Sequence, residues 1–360
     1  VAMDAEMPLR KSTGTYVDEV PPPWANIVSG MLIFRVKPPS GSPPAFKERY
    51  VARGFSQRQG VDFFQTFSPT PKMTTLRVLL HVAAQRDYEL HSLDFSTAFP
   101  QGSLHEEIWL RRPPGFTASF PAGTQWSLRR PDYGLRQAPR EWHDTLRTTL
   151  AALGFTLSTA NPSLFLCTDT TLPPFYVLVY VNDPVFATAD TEALAHVKSE
   201  LQKRHTCTDL APPSDESVEP SGSYPELVGC LMYLMTCTRP DLAYPLSLLA
   251  RYVAPGRHRK SSQGYTFSLG SDYVSWRSTR SSSVPSSSCE ADIYAGAMAT
   301  QELRWFTYLL TDLGEASHSP PVLYVDNKAT LTLCQVHSLE HRLRYFLALR
   351  YFLALRYFLA

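Results

Sequence analysis

Apolar residues recur along this chain with two periods, and those periods lay out its elements. In 72–86 (KMTTLRVLLHVAAQR), Leu76, Leu79, Leu80 and Ala83 fall at i, i+3, i+4 and i+7, which predicts an amphipathic helix with that face inward. Over 135–153, Trp142, Leu146, Leu150 and Leu153 share a face, while Arg136, Arg140 and Arg147 lie elsewhere. A third, charged helix is predicted over 191–204, with Leu194, Val197 and Leu201 inward. Strand-like runs at 31–36 and 46–53 flank a Pro/Gly/Ser turn and predict a hairpin carrying Lys47, Arg49, Arg53 and Arg58. A strand is expected over 89–94. Two apolar runs, 175–181 and 184–188, meet at a polar pair and predict a second hairpin turning at 182–183.

The stretch 211–225 (APPSDESVEPSGSYP) contains nothing that could build a core and reads as a linker. Beyond it, 226–252 is helical in pattern, broken at Arg239-Pro240, and 253–263 is short and basic. Strands are then expected over 264–268 and 273–276, a helix over 289–313, and a strand over 322–325 ending in Asp326. The last eighteen residues write Leu-Arg-Tyr-Phe-Leu-Ala three times. Six residues advance a helix by roughly 600°, so Arg344, Arg350 and Arg356 form no polar helical face, whereas a strand keeps all three on one side. The repeat reads either as a duplication or a reading artefact of the gene, or as a basic, aromatic tail for a membrane surface or a partner.

Composition narrows the class. With 44% apolar positions in 360 residues, the chain can bury real cores and is neither a fibre nor a disordered tail. Its 34 basic and 33 acidic residues nearly cancel, so only local clustering can speak for nucleic acid. The longest apolar run is the seven residues 175–181, against about 20 for a membrane-crossing helix. The first residues lack the basic head and apolar stretch of a secretory signal. Six scattered cysteines without C-x-x-C fit reduced thiols inside a cell and offer no zinc spacing. Neither G-x-S-x-G nor a phosphate-binding P-loop occurs.

Two segments set a carboxylate where a strand ends, Leu93-Asp94-Phe95 and Val181-Asn182-Asp183. Acids on such rigid platforms can share hard divalent cations. On the residues alone, Asp94 could equally cap a helix beginning at Ser96, and Asn182-Asp183 could be plain turn chemistry. The basic hairpin is either a phosphate grip or an edge protected by charge.

Longer strings add to this. ERYVARGFSQRQGVDFFQTFSPTPKMTTLRVLL (48–80), HSLDFSTAFPQGSLHEEIWLRRPPGF (91–116), YGLRQAPREW (133–142), NPSLFL (161–166) and YVND (180–183) resemble the reverse transcriptase of copia-type LTR retrotransposon polyproteins. LVGCLMYLMTCTRPDLAYPLSLLARYV (227–253) is similar to that family's lead into RNase H, and SSSCEADIYAGAMATQELRW (286–305) with VLYVDNKA (322–329) resembles the RNase H module. The resemblance implies an α+β right-hand polymerase. Fingers and an antiparallel palm would span 1–208, a linker at a deletion 209–225, connecting helices 226–263, an incomplete RNase H-like module 264–342, and the repeat tail 343–360.

It further implies RNA-directed DNA synthesis with two Mg2+ or Mn2+ ions. Asp94 and Asp183 would be catalytic metal ligands, with Asn182 beside them and Phe95 lending its carbonyl. Lys47, Arg53, Phe99 and Gln137 would bind the nucleotide, Phe99 by rejecting a 2′-hydroxyl. Arg136 and Arg140 would follow the template-primer. The implied partners are an RNA or DNA template-primer and dNTP, with protease and integrase as sister products of one polyprotein. The implied location is intracellular, in a cytoplasmic virus-like particle or the nucleus.

The departures from the family are specific. Asn182 stands where the family has Asp, and Pro184 stands where it has an apolar residue with an amide to donate. Pro100 and Asp132 replace residues that are usually apolar or small. Of four RNase H carboxylates only Glu290 and Asp326 have a match, so no RNase H activity is expected. The readings left open are an impaired polymerase, a nucleic-acid-binding remnant that does not extend primers, and a non-functional fragment.

Overall fold

The computed structural model describes residues 14–37, 45–113, 123–168, 173–210, 262–280, 288–316, 321–325 and 354–357, together with 233, 235–238, 240–243, 330 and 332. In chain order the strands that matter are β1 (Tyr16–Glu19), β2 (Ile27–Val28), β3 (Gly30–Lys37), β4 (Ala45–Ala52), β5 (Glu89–Phe95), β6 (Ile108–Leu110), β7 (Gln125–Leu128), β8 (Phe155–Leu157), β9 (Leu164–Cys167), β10 (Phe175–Tyr180), β11 (Asp183–Thr188), β12 (Cys207–Leu210), β13 (Ser262–Leu269), β14 (Asp272–Arg280), β15 (Val322–Val325) and β16 (Ala354–Tyr357). The helices are α1 (Met73–Arg86), α2 (Ala138–Ala152), α3 (Thr191–Arg204) and α4 (Ser288–Asp312). Contacts divide the chain into one unit of Val1–Thr70, Glu89–Leu157 and Ser163–Pro212, and a second of Pro71–Tyr88, Ser158–Pro162 and Pro213–Ala360.

The first unit is built on a six-stranded antiparallel sheet in the order β12-β5-β11-β10-β9-β8. Alternation along β5 sends Leu93 and Phe95 into a core shared with Trp142, Leu146 and Leu150 of α2, Phe165, Val177 and Phe186 of the sheet, and Leu194, Val197 and Leu201 of α3. The inward faces expected of α2 and α3 are those observed. Each buried side chain of this size contributes about 1.5–3 kcal/mol, which fixes sheet against helices. Asp190 starts α3 by accepting from the Ala193 amide at 2.9 Å. A smaller sheet, β1-β7-β6-β2, closes a second core around Trp126, Tyr50, Ile108 and Leu110. The basic hairpin forms as β3 and β4, pairing Gly30 with Ala52 through Lys37 with Ala45.

In the second unit, β13 and β14 form an antiparallel hairpin, longer at each end than the strands expected there. Helix α4 lies against β13, and the rings of Phe267 and Phe306 stack at 6.1 Å. Helix α1 packs on β14. Its inward face is rotated from expectation: Thr75, Val78, Leu79, Val82 and Ala83 are buried, while Leu80 is exposed. Both stripes satisfy helical spacing, and the chosen one brings His81 Nδ1 within 2.7 Å of Asp272 Oδ2 and Arg77 over the Trp276 ring. Asp312, at the end of α4, accepts from Ser158 Oγ at 2.6 Å and the Ala160 amide at 3.0 Å, tying 158–160 to the helix. Strand β15 pairs in parallel with β16, a stretch of the terminal repeat. The linker at 211–225 and most of the helices expected over 226–263 lie outside the described residues.

Candidate active site

The alternation that buries Leu93 and Phe95 turns Asp94 to the opposite face of β5. Strand β11 runs beside it, and the β10–β11 hairpin closes with Tyr180 opposite Asp183. The turn is therefore Val181-Asn182, one residue earlier than the sequence pattern suggested. Val181 has φ 57°, in a turn position that normally calls for glycine. For a β-branched residue that conformation costs about 1–3 kcal/mol and must be imposed from outside. Two bonds impose it: Trp142 Nε1 donates to the Val181 carbonyl at 2.7 Å, and the Phe95 amide donates to the Asn182 carbonyl at 3.1 Å.

These restraints aim one amide at two acids. Asn182 Nδ2 donates to Asp94 Oδ1 and to Asp183 Oδ1, each at 3.1 Å. The Asp183 carboxyl is pushed above its ordinary range, first by burial and then by the Asp94 charge. The amide eases this repulsion through its N–H groups and brings no charge of its own. Asp94 does not cap a helix: the short 3-10 turn Phe99–Gln101 follows, with Ala98 as its cap and no side-chain cap bond.

Two carboxylates turned toward each other on rigid strands, one already paying for the other's charge, suit a hard divalent cation. The Phe95 amide bonds the hairpin turn, and the carbonyl of that strand residue shares its side, so it could join the set. Among the described residues, no three His, Cys, Asp or Glu side chains gather as a group that could hold a metal ion. Between the two carboxylates stands the Asn182 amide, bonded to both.

Pro184 does not disrupt the hairpin. It stands opposite Val179, whose amide donates instead to Ser163 at 2.9 Å, so β10 asks no hydrogen bond of position 184. On its other side the Pro184 carbonyl accepts from Ser92 Oγ at 3.0 Å.

A second group of expected residues meets around the loop before α2. The Arg136 amide donates to Gln57 Oε1 at 2.8 Å and its guanidinium to the Gly54 carbonyl at 2.8 Å. Gln137 is fully buried: Nε2 donates to the Asp62 carbonyl at 2.8 Å, and Oε1 accepts from Gln57 at 3.0 Å. Both ends of that amide are engaged inside the protein, so Gln137 here braces the loop. Gly134, at φ 89°, allows the loop to approach β4, where a Cβ would collide with the Ala52 carbonyl. Phe99 packs edge-on to Tyr133 at 5.1 Å, with Arg49 over the same Tyr133 ring. Asp132 is buried and accepts from the Tyr133 amide at 2.8 Å.

Arg53 is exposed, and Arg140 pairs with Asp144 at 3.6 Å. The Lys47 side chain and Asp326 lie outside the described residues. Glu290 accepts from Tyr294 at 3.0 Å, one helical turn away on α4. Sequence pattern missed the bracing residues. Trp142 read only as part of an apolar face, and Asn26, Gln57 and Asp62 carried no signal, because their partners are 30 to 80 positions distant.

The family described as reverse transcriptase (RNA-dependent DNA polymerase) matches residues 25–215. The Retrovirus-related Pol polyprotein from transposon RE2 of Arabidopsis thaliana is 31% identical, over 90% of this chain and 29% of its own length. The corresponding polyprotein from transposon RE1 of the same plant is 29% identical, over 96% of this chain and 30% of its own. The chain thus spans under a third of these relatives. A solved structure, that of the foamy viral protease-reverse transcriptase dRH in complex with ds DNA, aligns at TM-score 0.48 and 10% identity, over 99% of this chain and 69% of that one. The chain belongs to the reverse transcriptase (RNA-dependent DNA polymerase) family, in the copia-type retrotransposon branch.

Proposed function

We propose that this chain is an RNA-directed DNA polymerase whose reaction centre is the Asp94–Asn182–Asp183 cluster. The observation that carries the reading is the pair of 3.1 Å bonds by which Asn182 joins the two acids across neighbouring strands. Asp94, Asp183 and the Phe95 carbonyl would hold Mg2+ or Mn2+. When bound, the ion offsets the charge that builds up as a primer 3′-hydroxyl meets a triphosphate. The chain's own residues supply position. Trp142 and Phe95 fix the hairpin, and the acids face one another across β5 and β11. Phe99 would stand under the incoming sugar, seated against Tyr133. Arg53, Arg136 and Arg140 would meet phosphates of nucleotide and template-primer.

Asn182 lowers the rate in this scheme. It donates where an acid would attract a cation, and the missing charge is worth roughly several kcal/mol in a partly dehydrated site. The resemblance of 286–305 and 322–329 to an RNase H module supplies only Glu290 and Asp326 of four carboxylates, so no RNase H activity is proposed. Primer extension on an RNA template with dNTP and Mg2+ or Mn2+ tests the reading. Slow extension that Asp94→Asn abolishes is the expected result. Extension that is indifferent to Asp94→Asn would place the chemistry elsewhere.

A further inference from the structure

Strands β13 and β15 border one cavity of about 1020 Å³. Every residue of 264–269 and of β15 lines it, odd and even positions alike, whereas β14 contributes only Tyr273. Successive residues of a strand point to opposite faces, so a strand that lines a space with all of them presents its edge. No residue of 263–269 or 322–325 is buried. Among the described residues β13 pairs with β14 and β15 with β16, each in a two-stranded sheet. Two such edges turn backbone donors and acceptors toward the same space, and a row of this kind is a template for a further strand. Helix α4 closes one side with Asp292, Ala295, Gly296, Ala299 and Phe306.

A strand that fits is written in the chain itself. β15 already pairs, in parallel, with Ala354-Leu355-Arg356-Tyr357. The same four residue types stand at 348–351, and a shift by the even hexapeptide period keeps every side chain on its face. In extended form Arg, Phe and Ala of each copy fall on one side, and Leu, Tyr and Leu on the other. The first side matches the helix wall, with a guanidinium for Asp292 and a ring for the hollow beside Ala295, Gly296 and Ala299. Only Phe352 and Leu353 separate 348–351 from 354–357, against the roughly a dozen residues that a parallel crossover needs, so one molecule cannot lay both along β15 in parallel. A second molecule can.

We propose that the space between β13 and β15 takes a strand of the terminal repeat from a second copy of this chain, in parallel with β15, joining the two small sheets into one. Each molecule carries both a repeat and a pair of open edges, so the exchange can be reciprocal. The association goes beyond the polymerase reading and does not depend on it.

The test is sedimentation of the full chain over about two decades of concentration. The parent self-associates as concentration rises, to twice the monomer mass or more. Arg344→Pro with Arg350→Pro breaks the earlier copies as strands and leaves the residues of β16 unchanged. Thr266→Lys with Val322→Lys sets a cation on each open edge against an incoming Arg. Each pair of substitutions alone raises the dissociation constant at least about tenfold, and Asp292→Asn shifts it in the same direction. Mixed together, the two doubly substituted chains associate again, one supplying the intact repeat and the other the open edges, a recovery that unfolded chains would not give. A parent that stays monomeric throughout overturns the proposal and points to a segment of the same molecule between β13 and β15. Variants that associate as the parent does overturn it too, by placing the contact on another surface, as does a mixture that fails to recover.

Discussion

The indole nitrogen of Trp142 donates to the carbonyl of Val181 at 2.7 Å, tying the first full turn of α2 to the residue that carries the hairpin's unfavourable φ. Trp142 is itself held edge-on by Phe95 and His205, at 5.0 and 5.4 Å between ring centres. The reach and aim of Asn182 and Asp183 thus depend on a core residue 39 positions before Val181. Trp142→Phe keeps most of the packing and removes the donor. It is expected to destabilise the protein by about 1–2 kcal/mol and to speed amide exchange at 181–183 more than elsewhere in the sheet.

Replacing Asn182 by Asp exchanges the donor between the two acids for a third negative charge. Without a divalent cation, Asn182→Asp is expected to lower the melting temperature. With Mg2+ or Mn2+ it is expected to regain the loss and to extend primers at least about tenfold faster than the parent, the step that roughly 1.4 kcal/mol of barrier corresponds to. Melting curves with and without Mg2+, beside primer extension, check both halves. Equal rates for the two proteins would mean that the amide is no handicap.

Asp183 gives the site a pH dependence of definite sign. Its folded-state value lies above the ordinary 3.8, so its ionised form weakens the fold at neutral pH, and this penalty is relieved as pH falls through the raised value toward 3.8. Asp183→Asn is therefore expected to melt above the parent at pH 7 in the absence of metal, with a gap that closes as the pH approaches 3.8. Protons and cations compete for this carboxyl, so apparent Mg2+ affinity should rise with pH over the same window. Calorimetric melts at both ends of the range decide it.

In the second unit, Asp312 accepts from two hydroxyls and an amide, of Ser158, Thr159 and Ala160, at the C-terminal end of α4, where a carboxylate is otherwise unfavourable. Asp312→Ala leaves those donors without their acceptor and is expected to cost about 1–3 kcal/mol in denaturant unfolding. Asp312→Asn should recover part of the loss, since its carbonyl can still accept.

The parts of this architecture that could be read in advance are those set by local spacing. The inward faces of α2 and α3 follow from Trp142, Leu146, Leu150 and Leu194, Val197, Leu201, and β15 has the bounds its pattern implied. The hairpin bearing Asp183 was legible, but its turn was not, because Asn-Asp is good turn chemistry whereas Val181 reads as strand until Trp142 is known to hold it. Likewise 72–86 offers two apolar stripes, and only the partners of His81 and Arg77 choose between them. Gln137 looks like a ligand-facing amide in a motif, and its burial depends on Gln57 and Asp62, which no periodicity singles out.

The interleaved make-up of the two units bears on how this protein can be handled. Because Pro71–Tyr88 and Ser158–Pro162 are grouped with residues beyond Pro213, a truncation at the proline-rich linker would not excise a clean module. It would strip α1, whose Val78 and Val82 are buried, of the strand β14 it packs on, and free the backbone that Asp312 holds. Shortened versions made to isolate the unit that carries Asp94 and Asp183 should therefore aggregate or melt early, and inactivity in such a fragment would report the cut rather than the chemistry.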